Sequence, residues 1–166
     1  LPFATMRTMR MLLFLLLCVP VFGQDVPKYE ERFDKFKYES VFKLPLEVER
    51  DRFYGSRMRL IITVIYPIKG KPSHYFHFMP ERPTLYEKPT LRMLIDGLLM
   101  EIPSDQIDET AIFKLRPEQF DFISRSKKVE IQLSTFEGSL PPESIAGIKS
   151  LQDAITKLPA DRRPPR

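Results

Sequence analysis

Several residue types that carry much of protein chemistry are scarce in this chain of 166 residues. It has one cysteine, two histidines, six glycines and no tryptophan. The single cysteine, Cys18, has no second cysteine in the chain with which to form a disulfide. The scattered glycines form no glycine-rich loop of the kind that holds phosphates. An intramolecular disulfide scaffold is therefore excluded, and a nucleotide-binding enzyme is disfavoured.

The two histidines do not predict a metal site. His74 and His77 lie among Tyr75, Phe76 and Phe78, an aromatic run typical of a β-strand. Residues three apart on a strand point to opposite faces of the sheet, so the two imidazoles cannot converge on one ion. We therefore assign no metal ligand in this chain.

Paired carboxylates give the one catalytic alternative. Glu47 and Glu49 share a strand face, as the two carboxylates of a glycoside hydrolase must. Any solvent-exposed strand face shows the same alternation, and no Gly-x-Ser-x-Gly turn supplies a nucleophile. The sequence thus predicts no catalytic residue and no cofactor. An envelope hydrolase that uses this pair remains the alternative, together with a carrier of a small apolar ligand.

The charge balance does not favour a nucleic-acid partner. The formal net charge is +4, and residues 1–23 contribute two arginines and no acidic residue, which leaves about +2 for the rest. Charges of both signs are interspersed, without a run of basic residues and stacking aromatics. We expect no binding to DNA or RNA.

The N-terminal segment has the parts of a secretory signal. Arg7 and Arg10 precede an apolar run over residues 11–22, and Gly23 provides a small residue before the expected cleavage site at Gly23/Gln24. The run is about a dozen residues, short of the roughly 20 that cross a bilayer. Residues 1–23 are thus interpreted as upstream residues and a signal peptide. The protein is expected in the periplasm or outside the cell, without a transmembrane segment in the mature chain.

The mature chain divides into an arm, one domain and a tail. Residues 24–40 are polar and aromatic, with Phe33 and Phe36 spaced as in a short helix or in an arm laid across the domain. We expect residues 41–158 to form a single β-rich domain and residues 159–166 to be a disordered tail. Cys18 is expected to leave with the signal peptide, which would leave the mature protein without thiol chemistry.

Period-two patterns predict most of the domain. Alternation over residues 42–48 indicates a half-buried strand, and Pro45 places it near a sheet edge. Residues 58–66 are apolar on both faces, as in a central strand. Asp96-Gly97 suits the two-residue turn of a hairpin between residues 91–95 and 98–102. Further strands are predicted over residues 74–79, 110–115 and 128–133, and helices over residues 117–125 and 141–158.

These elements predict a mainly β fold with C-terminal helices, either an antiparallel Ig-like β-sandwich or a related α+β domain. The signal segment, the opening Phe33-Asp34-Lys35-Phe36, the hairpin at Asp96-Gly97 and the closing strand before Phe136-Glu137-Gly138 resemble an uncharacterised group of small exported bacterial β-rich proteins. The resemblance implies a compartment and a fold type. It carries over no activity and no site residue.

The functional hypothesis is a non-catalytic exported module that binds a protein or a cell-envelope component. Its candidate contact surface is aromatic: Phe33 and Phe36 of the arm, with Tyr75, Phe76 and Tyr86 of the domain. Core packing accounts for most phenylalanines in a folded domain, so each of these side chains could instead be buried.

Overall fold

The computed structural model describes residues 25–35, 37, 39–50, 58–80, 89–104, 106–107, 110–134 and 136–158. Several predictions lie outside these residues: the signal peptide with Cys18, the cleavage site at Gly23 and Gln24, two aromatics of the contact surface, Phe36 and Tyr86, and the tail over residues 159–166.

Ten strands and two helices occur in the described residues. The strands are β1 Glu30–Asp34, β2 Glu39–Arg50, β3 Met58–Pro67, β4 Ser73–Pro80, β5 Thr90–Ile95, β6 Leu98–Pro103, β7 Gln106–Ile107, β8 Ala111–Leu115, β9 Val129–Leu133 and β10 Phe136–Ser139. The helices are α1 Pro117–Ser124 and α2 Pro142–Thr156. The fold class is confirmed: the protein is mainly β, with two antiparallel sheets and two helices, compatible with a β-sandwich or α+β domain.

One long strand connects the two sheets. The first sheet has the order β1-β2-β3-β4-β8-β7, and the second the order β6-β5-β9-β10. One edge of β2 pairs with β3, while its other edge pairs with β1 near the start and with β10 at Glu49 and Arg50. β6 also lies close to β8, so the far ends of the two sheets approach each other.

The same arrangement explains a proline inside β2. Pro45 lies opposite Ile61 in the ladder with β3. On the other edge, β1 pairs with residues 39–43 and β10 with residues 49–50, which leaves Pro45 between them. A proline has no N–H to donate, and it is tolerated where a strand edge is not paired. The predicted edge position is thus a local gap along an otherwise internal strand.

The core lies between the inner faces of the sheets and the helices. Period two sets the inner face of the first sheet: Phe42, Leu44, Leu60 and Ile62 are fully buried, and the residues beside them in sequence are more exposed. The predicted apolar stripe of α2 is buried as well, at Ile145, Ile148, Leu151 and Ile155, with Leu158 partly buried.

A glycine lets α2 approach the first sheet closely. A Cβ at Gly147 would lie 3.2 Å from the backbone oxygen of Pro27 and 3.6 Å from Leu44 Cδ1. The segment before β1 therefore lies against α2. Residues 30–34 then continue as a strand paired with β2, so the polar opening of the chain is a strand here and not a helix.

The Asp96-Gly97 hairpin has the predicted turn. Both residues have positive φ, 47° at Asp96 and 88° at Gly97, as a type I′ turn requires. The Asp96 carboxylate has a further role, because it accepts hydrogen bonds from the backbone N–H groups of Lys127 at 3.1 Å and Lys128 at 2.9 Å. The turn is thereby attached to the start of β9.

We expect Asp96→Ala to lower the free energy of unfolding by about 2 kcal/mol. The variant loses two charge-assisted hydrogen bonds and places alanine at positive φ. Asp96→Asn keeps one acceptor oxygen and a residue that tolerates positive φ, so its expected loss is below about 1 kcal/mol. Urea unfolding of both variants measures the difference. Equal losses would show that the carboxylate does not hold the turn to β9.

Candidate interaction surface

The predicted aromatic contact surface does not form one surface among the described residues. Phe33 is half-buried on β1 opposite Ser40, whose side chain is buried on the inner side of β2. Tyr75 is half-buried on the opposite side of the sheet, in register with Thr63. The inclusion of Phe76 was wrong, because its side chain is fully buried in the core. Of the described candidates, Tyr75 is the one on the outer side.

The two histidines lie on opposite faces of β4, as predicted. His74 faces the core, in register with Val64 and Leu115, and its ring stacks on Phe120 at 4.6 Å between centroids. It is 2% exposed, and its Nδ1 atom has no hydrogen-bond partner among the described residues. Burial lowers the pKa of His74 from 6.5 to about 4. His74 is therefore a neutral core residue at physiological pH.

We define the outer face as the central group of side chains on the side of the first sheet that points away from the core. Pro45, Glu47, Arg59, Ser73 and Met79 lie on the same side but outside this group. Its members come from β2, β3, β4 and β8 and are Val41, Lys43, Ile61, Thr63, Ile65, Tyr75, His77, Ile112 and Lys114. The two lysines are exposed, Thr63 is buried, and the other members are half-buried. The outer face thus combines aliphatic, aromatic and cationic side chains.

Strand register arranges these side chains in rows. One row runs Lys43, Thr63, Tyr75 and Lys114 across the four strands. The adjacent row contains Ile61, His77 and Ile112. Directly opposed residues of an antiparallel pair have Cβ atoms roughly 4.5–5.5 Å apart, so neighbours within a row can contact one ligand group together.

Two local contacts organise the centre of the outer face. The Lys114 Nζ atom lies 6.0 Å from the centre of the Tyr75 ring, within the range of a cation–π contact. The Tyr75 and His77 rings are 6.3 Å apart with an interplanar angle of 52°. Burial and the nearby positive charge of Lys43 lower the pKa of His77. Lys43 and Lys114 therefore provide the positive charge of the central row, with a neutral imidazole beside them.

The sequence did not single out these lysines. Lys43 and Lys114 are 71 positions apart and look like ordinary solvent-exposed strand residues. Only the order β2-β3-β4-β8 and its register bring them into one row with Tyr75. The alternation of apolar and polar residues predicts that the two lysines are exposed, but no local pattern predicts the order of the strands.

The structure adds no support for the hydrolase hypothesis, which rests on the carboxylates of Glu47 and Glu49. Glu47 is exposed on β2 opposite Arg59 of β3, and the Glu49 side chain lies outside the described residues. Within the described parts of the chain, no group of three or more His, Cys, Asp or Glu side chains could hold a metal ion. Neither described helix is long and apolar enough to span a membrane.

Comparison with models of known protein families, with curated proteins and with solved structures finds no match to this chain.

Proposed function

We propose that this protein is an exported, non-catalytic β-rich module that binds a protein of the cell envelope or the extracellular medium through the outer face. The observation that carries the proposal is the row Lys43, Thr63, Tyr75 and Lys114, which places an aromatic ring between two exposed lysines. Tyrosine is enriched at interfaces because it combines a large apolar body with a polar tip.

The chemistry of the outer face favours an acidic partner segment with an apolar anchor. The two lysines attract carboxylates, and Ile61 and Ile112 offer aliphatic contact in the next row. Charged groups at the rim raise association rates and make them salt-dependent, while the aromatic and aliphatic centre provides most of the buried contact. We expect binding to weaken as the ionic strength rises.

The experiment compares capture by the wild-type chain with capture by a charge-reversed outer face. The full chain, with a C-terminal tag, is expressed in its own cells and cross-linked, and the retained proteins from envelope and medium fractions are identified by mass spectrometry. The Lys43→Glu, Lys114→Glu double variant is expected to lose at least about 90% of a specific acidic partner. The intact mass of the captured chain is expected to match that of a chain that begins at Gln24.

The matched control reverses two exposed lysines of α2 and its C-terminal end, Lys149→Glu and Lys157→Glu. It carries the same change in net charge on another part of the surface, so it should retain the partner. Equal capture by both variants, or loss in both, would overturn the outer face as the binding surface. Retention of lipid or polysaccharide without protein would overturn the protein partner, and a full-length chain in the cytoplasm would overturn export.

A further inference from the structure

The β5–β6 hairpin carries the most exposed large hydrophobic side chains of the described residues. Leu98 is 62% exposed and Leu99 66%, and Leu94, opposite Leu99 on β5, is 38% exposed. Leu94 and Leu99 share one face of the hairpin, and Leu98 lies on the opposite face beside Ile95, so apolar side chains are exposed on both sides of the start of β6. Exposed apolar groups of this kind mark contact sites. This hairpin belongs to the second sheet and is separate from the outer face.

The leucines lie on a strand that ends the described sheet. β6 pairs with β5 on one side, and no described strand is hydrogen-bonded to its other side, although part of β6 lies close to β8. Natural proteins protect such edges with charged side chains, prolines or bulges. Residues 98–100 are Leu-Leu-Met, and the first charge and the proline come later, at Glu101 and Pro103. In the part of the chain that the structure describes, the first half of this edge therefore carries no charged side chain and no proline.

We propose that β6 pairs antiparallel with β6 of a second copy of this chain, on a two-fold axis at Leu99. Residues directly opposite in an antiparallel pair share a sheet face. In this register Leu99 faces its own symmetry mate, and Leu98 faces Met100 of the second copy. Glu101, which bonds Arg92 of its own chain at 2.8 Å, faces Gly97 of the second copy. Apolar residues thus meet apolar residues, and no like charges are opposed.

The neighbouring registers are less favourable. Side chains stay on matching faces only if the axis moves by a whole residue, so the neighbouring choices are an axis at Leu98 and an axis at Met100. The axis at Leu98 places Leu99 opposite Gly97 and Met100 opposite Asp96 of the turn, so neither side chain gains an apolar partner. The other choice is the axis at Met100. That register opposes Leu99 to Glu101 twice across the axis and brings Pro103 into the ladder opposite Gly97. It buries a leucine against a carboxylate and places a residue without an N–H in the pairing. The axis at Leu99 is therefore favoured.

The size of the contact sets its strength. A single short strand from each copy buries less than the roughly 1,200–2,000 Å² of stable complexes. The dimer is consequently weak, with half-dissociation expected between roughly 10 μM and 1 mM. The second sheet would then continue across the two-fold axis as one eight-stranded sheet.

Sedimentation equilibrium of the full chain between about 10 μM and 1 mM tests the association. The wild-type chain is expected to shift from monomer towards dimer over this range. Leu99→Lys places a charge at the axis and is expected to remain monomeric, while Met79→Lys, a change at another exposed hydrophobic residue, should dimerise as the wild type does. A wild-type monomer at all concentrations, or a dimer that survives Leu99→Lys, would overturn the proposal.

Cysteine cross-linking tests the register independently of stability. In a Cys18→Ser background, Leu99→Cys is expected to give a covalent dimer with diamide, because directly opposed residues lie within disulfide range. Glu101→Cys should stay monomeric, since its symmetry mate lies about 13 Å along the strand. Efficient cross-linking of Met100→Cys in place of Leu99→Cys would overturn the axis at Leu99.

Discussion

When the pH is lowered from 7.5 to 4, we expect the free energy of unfolding of the wild-type protein to fall by about 3 kcal/mol more than that of a His74→Phe variant. His74 is stacked on Phe120 at 4.6 Å, and burial lowers its pKa from 6.5 to about 4. Both its cross-strand neighbours, Val64 and Leu115, are apolar. A proton on this imidazole would place a charge in the core.

The sign follows from proton uptake. Below pH 6.5 the unfolded chain protonates His74, whereas the folded chain keeps it neutral until about pH 4. The stability that belongs to neutral His74 is therefore fully present above pH 6.5 and is lost progressively as the pH falls towards 4. Phenylalanine keeps an aromatic ring at this position and removes the titrating group.

Urea unfolding at a series of pH values measures this difference. The carboxylates titrate in both proteins, so their contribution cancels when the two curves are subtracted. His77→Phe is the matched control, because His77 lies on the same strand but on the half-buried outer face. That variant should retain most of the acid sensitivity of the wild type. Parallel pH profiles for the wild type and His74→Phe would show that the buried imidazole does not control acid stability.

Local sequence patterns predicted the elements that have strong periodicity. The apolar run at residues 58–66 became the internal strand β3, and the Asp96-Gly97 pair became a turn with positive φ at both residues. Pro117 begins α1, and the stripe from Ile145 onward is the buried side of α2. In each case the signal lies within a few residues of the structure it specifies.

Three strands were missed because their pairing is not local. β1 is a charged, mostly exposed segment without alternation, and its partner is β2. β10 contains Gly138 and reads as a turn, but it pairs with both β9 and the end of β2. β7 has only two residues. Such segments become strands because a neighbouring edge offers backbone partners, not because their own side chains favour it.

The same limit applies to the outer face. Its composition depends on which strands are neighbours and on their register, since a one-residue slip would turn every side chain to the other side. Residue type alone predicts both Tyr75 and Phe76 as contact residues. Their neighbouring positions on β4 put one outside and the other in the core. The face of a residue was thus predictable by alternation, and the identity of its neighbours was not.

The second large effect is expected in α1, where two phenylalanines two positions apart have opposite environments. Phe120 is fully buried against His74 and Phe76, and Phe122 is 38% exposed. Phe120→Ala should lower the free energy of unfolding by about 3–5 kcal/mol, because it removes a buried ring and leaves a cavity. Phe122→Ala should cost less than about 1 kcal/mol. Urea unfolding at pH 7.5 measures both.

If Phe120→Ala proves too unstable to measure, Phe120→Leu replaces it, with a smaller expected loss since most of the site stays filled. Similar losses at the two positions would contradict the placement of α1 on β4.

The Phe120 variants also test the environment of His74, because the Phe120 ring covers its imidazole. In Phe120→Ala we expect the cavity to expose the imidazole to water, which would raise the pKa of His74 towards 6.5. A Phe120 variant should therefore lose less stability on acidification than the wild type, which links the packing of α1 to acid sensitivity.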